Sequence, residues 1–247
     1  MPLREEFAAA GQWLFRWRSY LPVVLFVPVV VVTWTHARDG LLPVPDRGWD
    51  LFCLTVSMLG VVVRALAIGH APAGTSGRNT TEGQIASTIN TTGVYSIVRH
   101  PLYVGNFLNW MGIALLPRSL WLATVIVLAF WLYYERIMFA EEEFLRGKFG
   151  AAYEEWASRT PAFLPDPRLW QPPALPFSGR NVLKREYSGV LGVVACLAAL
   201  DVVRDSIVIG TPTIDPLWEA ILLTTLALYI VLRTLKRHTS VLHVEGR

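Results

Sequence analysis

The chain has 247 residues, of which 53% are hydrophobic and 17% charged, with ten tryptophans and a formal net charge of +3. That balance lies outside the range of ordinary soluble domains and points to an integral membrane protein. The charge is too small and too dispersed for nucleic-acid binding, and two cysteines inside apolar runs, Cys53 and Cys196, can build neither a disulfide framework nor a metal site.

Residues 1–18 read as a short amphipathic lead, with Trp13, Phe15 and Trp17 beside basic residues in the manner of an interface anchor. Ser19–Thr35 is the first uncharged run. Its two prolines, its late start and the lack of a small-x-small cleavage site predict a retained helix rather than a signal peptide. Leu51–Gly69, interrupted by Arg64 alone, predicts a second membrane helix. A long polar loop follows, "HAPAGTSGRNTTEGQIASTINTTG", with Asn-x-Thr sequons at Asn79 and Asn90. A loop of that length is either disordered or functional, and this one leads directly into the segment "GVYSIVRHPLYVGNF".

Leu102–Pro117 and Ser119–Tyr134 predict a tight helical hairpin, the first arm being about 24 Å long at 1.5 Å per residue. In "ERIMFAEEEFLRGKFGAAYEEW", Leu145, Phe149, Tyr153 and Trp156 recur at helical spacing, which predicts an amphipathic helix at the cytoplasmic surface. Six prolines between Pro161 and Pro176 predict an extended connection. Tyr187–Val203 and Pro216–Leu232, interrupted by Asp201 and Glu219, complete a C-terminal hairpin. The expected fold is therefore all-α, a polytopic membrane bundle of about six helices plus the amphipathic helix. Three units are expected: 1–48, an interface segment and first membrane helix; 49–165, a core with the site; 166–247, the proline-rich connection and C-terminal hairpin.

Orientation follows from the basic residues. With a cytoplasmic N-terminus, Arg4, Arg16, Arg18, Arg78, Arg99, the group from Arg136 to Arg185, and Lys236, Arg237 and Arg247 all fall inside. Both termini are then cytoplasmic, and the two sequons face the cytoplasm, where they are not glycosylated.

Two clusters carry chemistry. Pro101 suits the first position of a helix and pushes His100 toward extended backbone, so Arg99 and His100 perch at a helix N-terminus that is already positive. The functional reading is an anion site; the structural reading is an arginine that snorkels and a histidine that caps a loop. Glu141, Glu142 and Glu143 follow a membrane helix beside Arg136. They are either a solvated face or carboxylates held near the bilayer for a purpose. Arg64, inside the second helix, must face protein, water or the interface.

Taken in order, the two clusters resemble a known family. "GVYSIVRHPLYVGN" is similar to the G-x-Y-x-x-x-R-H-P-x-Y-x-G signature of the isoprenylcysteine carboxyl methyltransferase and phospholipid methyltransferase superfamily, and "EEEFLRGKFGAAYEEWASRTPAFLP" to its paired-Glu second half. The resemblance covers roughly residues 50–165. It implies a membrane helix bundle that binds S-adenosylmethionine from the cytosol while a lipid-borne acceptor enters from the bilayer. Carried over by motif, it implies a cofactor site at Arg99, His100, Tyr103 and Gly105 with Tyr95 nearby, completed by Glu141 and Glu142. Arg136 would neutralise an anionic acceptor, Arg159 being a second candidate and Arg64 a further acceptor contact. No metal is implied. Trp156 stands where the family often has tyrosine, and the hairpin from Tyr187 lies outside the shared core.

The activity this implies is methyl transfer from S-adenosylmethionine to a lipid or lipid-linked carboxylate, phosphate or amine in the cytoplasmic (inner) membrane. Two other readings are kept: a sterol-reductase-like enzyme using a nicotinamide dinucleotide, and a non-catalytic membrane carrier. The carrier would gather Arg64, Asp201, Asp205 and Glu219 into one polar pathway in the bundle core.

Overall fold

A computed structural model gives the architecture, and it describes residues 2–18, 20–75, 79–80, 83–84 and 86–247. Arg78 lies outside the described residues. The helices are α1 (Leu3–Trp17), α2 (Phe26–Arg38), α3 (Arg47–Gly69), α4 (Val94–Ile97), α5 (Pro101–Leu115), α6 (Leu120–Phe149), α7 (Ala151–Arg159), α8 (Gly179–Ile209) and α9 (Pro216–His238). Short 3₁₀ turns occupy Leu21–Leu25 and Pro167–Leu169. In the polar loop, β1 (Asn79–Thr80) and β2 (Gly83–Gln84) form one small antiparallel pairing. The protein is thus all-α in architecture, as its periodicity predicts.

Among the described residues, three helices, α3, α6 and α9, are long and apolar enough to cross a membrane, or up to four if α1 and α2, bent by 81°, count as one span. The expected six segments are all helical, but α2 has 13 residues and α5 has 15, so each is only about 20–23 Å long against a hydrocarbon core of about 30 Å. The outer faces of α2, α6 and α9 are apolar: Val27 and Val31 on α2, Leu128 and Leu132 on α6, and Leu223, Leu228 and Ile230 on α9 are all exposed.

Helix α6 departs from the sequence expectation in a way that matters. The membrane arm and the amphipathic helix are one continuous rod of 30 residues, about 45 Å at 1.5 Å per residue. No proline interrupts it. The break comes at Gly150, whose φ of +53° suits glycine because a Cβ would crowd the backbone there. At about 45 Å, α6 is longer than a hydrocarbon core of about 30 Å, and its C-terminal third carries Glu141–Glu143.

The N-terminal helix α1 lies along α6. A Cβ at Gly11 would meet the Arg136 carbonyl at 2.1 Å, so glycine there permits backbone contact. Phe7 meets Phe139 edge-on, and Arg4 pairs with Glu143 at 2.6 Å. The α3–α5 pair packs equally closely, with a hypothetical Cβ on Gly112 only 2.1 Å from Ser57 Oγ, the small-residue crossing usual between membrane helices. Helix α8 packs on α2, α3 and α9. The main core is built from Val29, Val32, Cys53, Ile113, Leu122 and Leu197 with their neighbours.

At the far end of the bundle a charged cluster is fully internal. Arg204 on α8, 2% exposed, bonds Asp50 of α3 at 2.7 and 3.0 Å, Asp201 at 2.5 Å and Asp205 at 2.8 Å. Asp201 in turn accepts from the Asp215 backbone N–H at the start of α9. One guanidinium thereby ties α3, α8 and the α8–α9 turn together.

Candidate functional site

Helix α5 begins at Pro101 with His100 as its N-cap at φ −118° and ψ 60°, outside the α region that a following proline disfavours but short of the extended backbone the sequence predicts. What holds this junction is the proline-rich segment expected to be a mere connection. Arg99 N–H donates to the Pro161 carbonyl, His100 N–H to Ala162, and Gly93 N–H to Gln171, while Asp166 N–H donates back to Ile97. A proline-rich strand has few donors of its own but every carbonyl free, so it suits splinting a segment whose N–H groups are unpaired.

Opposite this splint, the projecting end of α6 presents its carboxylates. Glu142 Oε1 accepts from Arg99 Nε at 2.9 Å and lies 2.9 Å from His100 Nε2. Glu141 Oε2 accepts from Tyr103 O–H at 2.9 Å and lies 3.6 Å from His100 Nδ1. His100 is thus clasped between two carboxylates and stacked on Tyr103 at 5.5 Å. Its burial opposes a charge, but the hydrogen bonds and charges of Glu141 and Glu142 outweigh that and raise the imidazole above its ordinary value. Arg99 Nη1 donates to the carbonyls of Ala157 and Thr160 at 2.6 and 2.7 Å. The cations at the helix end are therefore already braced by the protein's own carboxylate. Among the described residues, Arg99 Nη2 has no hydrogen bond and remains available to an anion.

This cluster forms one end of a cavity of about 610 Å³, whose lining includes Tyr95, Arg99, His100, Tyr103, Glu141 and Arg64, within the usual size range of ligand sites. Arg64 reaches the cavity because α3 and α5 are in contact: a Cβ on Gly105 would lie 2.4 Å from Arg64 Cγ, so that glycine makes room for the arginine stem. The guanidinium then pairs with Glu186 of α8 at 2.7 Å through both Nε and Nη2, and with Asn106 Oδ1 at 2.6 Å. Asn106 donates onward to the Tyr134 hydroxyl at 3.1 Å. Tyr95 sits under Trp156, whose indole N–H donates to the Tyr95 carbonyl at 3.3 Å.

The residues expected from sequence divide in two. Tyr95, Arg99, His100, Tyr103, Glu141, Glu142, Gly105 and Arg64 come together at or directly behind the cavity wall. Two candidates stand apart from it. Arg136 turns toward α1, its guanidinium 4.6 Å from the Phe7 ring and bonded to the Leu132 carbonyl; Arg159, largely exposed, pairs with Glu155. Asn106, Tyr134, Tyr153 and Glu186 stand at the site although the sequence reading gave them no role in it. Tyr153 is fully buried beside Glu142, and burial with that charge pushes its phenol up. Tyr153 was legible as an apolar-face residue within the paired-Glu motif, and Glu186 only as an acid in a basic stretch. The carrier's four residues do not gather: Asp201 and Asp205 meet on Arg204, Arg64 pairs with Glu186, and Glu219 is exposed. Among the described residues no group of three or more His, Cys, Asp or Glu could hold a metal ion.

Comparison with known proteins assigns the family. The phospholipid methyltransferase family profile matches residues 52–152, which hold the Arg-His-Pro motif and both site carboxylates. Protein-S-isoprenylcysteine O-methyltransferase B of Arabidopsis thaliana is 35% identical over 154 residues, 60% of this chain and 68% of that protein. The chain belongs to this membrane methyltransferase family. It is also similar to the nickel-cobalt-cadmium resistance protein NccN of Alcaligenes xylosoxydans xylosoxydans, 39% identical over 149 residues, and to the cobalt-zinc-cadmium resistance protein CzcN of Cupriavidus metallidurans, 37% identical over 118 residues. Those matches cover 60% and 48% of this chain, which spans 62% and 51% of the two relatives. No solved structure matches the chain.

Proposed function

We propose that the protein is an S-adenosylmethionine-dependent methyltransferase acting on a lipid or lipid-linked acceptor at the cytoplasmic face of the inner membrane, with both termini cytoplasmic. The observation that carries the reading is the His100–Glu141–Glu142–Arg99 clasp at the wall of a cavity that also has an apolar side. Residues 49–165 would be the methyl-transfer core, flanked by 1–48 and 166–247.

The donor set suits the cofactor. Arg99 Nη2 and the α5 N-terminus offer an anion-binding corner for a carboxylate, and Glu141 and Glu142 offer acceptors for an ammonium or ribose hydroxyls. Once bound, S-adenosylmethionine supplies an electrophilic methyl group on a sulfonium. The chain's own residues then position and protect. Tyr95, Tyr103 and Tyr134 wall the site with rings and exclude water, which strengthens every charge interaction inside. An anionic carboxylate or phosphate acceptor needs no base, so positioning is the main task. An amine acceptor would have to lose a proton, and the His100–Glu142 pair is the group placed to hold it. Arg64, Arg136 and Arg159 remain acceptor candidates, with Arg64 alone lining the cavity.

The test is equilibrium binding of S-adenosylmethionine to detergent-purified protein, wild type beside His100→Ala and Glu142→Gln. Micromolar binding lost in both variants is expected. A folded wild type that binds none would overturn the proposal and direct the search to a nicotinamide dinucleotide.

A further inference from the structure

Helices α8 and α9 lie outside the stretch matched to the family. One face of α8 walls the cavity of the clasp through Glu186, Gly189 and Val193. Its N-terminal end also borders a second pocket, of about 420 Å³, which shares no lining residue with that cavity. Lys184 forms one side of this pocket, Lys236, Arg237 and His238 at the end of α9 another, and His243 of the following tail a third. Among the described residues no carboxylate lines it, and Lys184, Lys236 and Arg237 have no ion-pair partner. Elsewhere the protein pairs its cations: Arg47, Arg64, Arg99, Arg118 and Arg204 each meet a carboxylate.

Cations in the last turn of a helix complement its dipole, which accounts for Lys236, Arg237 and His238. It does not account for Lys184, near the positive end of α8, nor for the tail. There Leu242 is buried, His243 N–H donates to the Ser240 carbonyl, and the Gly246 carbonyl accepts from Ala73 N–H. The Arg247 guanidinium donates to the carbonyls of Gly69 and Pro176, each at 2.6 Å. The tail is therefore tied to the end of α3 and to the proline-rich segment, and His243 is held at the pocket rather than released to solvent. Gathering like charges costs Coulomb energy, and no group of the protein offsets it here. An anion would.

The depth of the pocket says which anion. Leu228, Ile230 and Val231 on α9 and Leu183 on α8 are exposed, and Lys236 follows Val231 by about 8 Å along the helix. Between these levels the Tyr187 and Tyr229 rings meet at 5.2 Å, Lys236 lies 5.1 Å from the Tyr187 ring, and Arg233 bonds the Tyr229 hydroxyl. Tyrosines beside basic chains mark a membrane–water boundary. We infer that the pocket binds the phosphate of an anionic phospholipid, phosphatidylglycerol in chemistry, whose acyl chains lie along Leu183, Leu228 and Val231 and whose headgroup bridges α8, α9 and the tail. Basic pockets between membrane helices suit such headgroups. A zwitterionic lipid has the same phosphate but adds a cation, which the surplus of positive charge opposes. Trp218, at the other end, is the buried residue of α9, and α9 packs mainly on α8, so the bridging lipid would fasten the basic end of the hairpin. The inference rests on α9 crossing the bilayer and not on methyl transfer.

The test titrates full-length protein in detergent with dioleoylphosphatidylglycerol, dioleoylphosphatidylcholine or inorganic phosphate. Bound lipid is counted by native mass spectrometry, and melting is followed on the same samples. Phosphatidylglycerol should bind at least about tenfold tighter than phosphatidylcholine and raise the melting temperature. In the triple variant Lys184→Gln, Lys236→Gln, Arg237→Gln its affinity should fall about 100-fold, each cation near an anionic lipid contributing about fivefold. A control, Arg146→Gln, Lys148→Gln, Arg168→Gln, removes the same charge outside the pocket and should keep the preference. Lys236 and Arg237 are exposed and Lys184 half-buried, so the pocket variant is expected to fold, and its melting without lipid checks this. A preference unchanged in the folded pocket variant, or lost equally in both variants, would overturn the inference. Inorganic phosphate that displaces phosphatidylglycerol and raises melting as far would overturn the lipid assignment in favour of a free anion.

Discussion

Glu142→Gln tests whether the clasp does chemistry or only braces the fold. Glu142 receives two hydrogen bonds, from Arg99 and His100, each at 2.9 Å. Bonds to charged groups contribute about 1.5–3 kcal/mol each, and side-chain exposures of 19% for Glu142 and 17% for Arg99 favour the lower end, because water screens them. Glutamine keeps one acceptor oxygen and loses the charge, so roughly half of that contribution survives and the net loss is about 1–2 kcal/mol. For a chain of this size such a loss lowers the melting temperature by about 2–8 °C. Nearly all of the protein stays folded at 25 °C. If Glu142 holds the cofactor or the reacting group, transfer of tritiated methyl groups into lipid should instead fall about 100-fold, the usual cost of losing one preorganised polar group. Melting by intrinsic fluorescence and methyl incorporation are measured on the same preparation. A lowered melting temperature with transfer within about twofold of wild type would reduce Glu142 to a brace and refute its role in the site.

Three further outcomes are expected. Arg204→Met leaves Asp50, Asp201 and Asp205 buried without their cation and should cost about 3–5 kcal/mol; changing the three aspartates to asparagine in the same chain should recover much of it, measured by thermal unfolding in detergent. Gly112→Val drives a side chain into Ser57 and the Cys53 carbonyl and should destabilise by about 1–3 kcal/mol or more, whereas the same change at Gly147, which has open space, should leave melting nearly unchanged. Because His100 titrates above its unfolded value, the stability it contributes is complete below about pH 6.5 and is lost as pH rises through its raised value. Wild type should therefore lose melting temperature on going from pH 6 toward 9 more steeply than His100→Gln, and parallel slopes would count against the clasp.

What the sequence determined by itself is local. Uninterrupted apolar runs leave the backbone no partner in lipid except its own helix, so the all-α membrane class was readable from composition and spacing. Pro101 fixes where α5 starts and keeps the residue before it out of helix, so the chain order alone puts Arg99 and His100 at a helix N-terminus. The ordered Arg-His-Pro and paired-Glu motifs named the family for the same reason, being short and contiguous. Only the tertiary structure decided who meets whom. Arg64 and Glu186 are 122 positions apart, and no periodicity in either helix announces the other. The prolines from Pro161 onward signal a break in helix, yet not that the carbonyls of Pro161, Ala162 and Gln171 would splint residues 93–100. Arg136 had the right charge and the right neighbours along the chain, but its own helix face turns it to α1 rather than to the cavity. Helical spacing tells which residues share a face; which element covers that face depends on packing between segments distant in sequence, and there the cavity, its α8 wall and the Arg204 cluster are made.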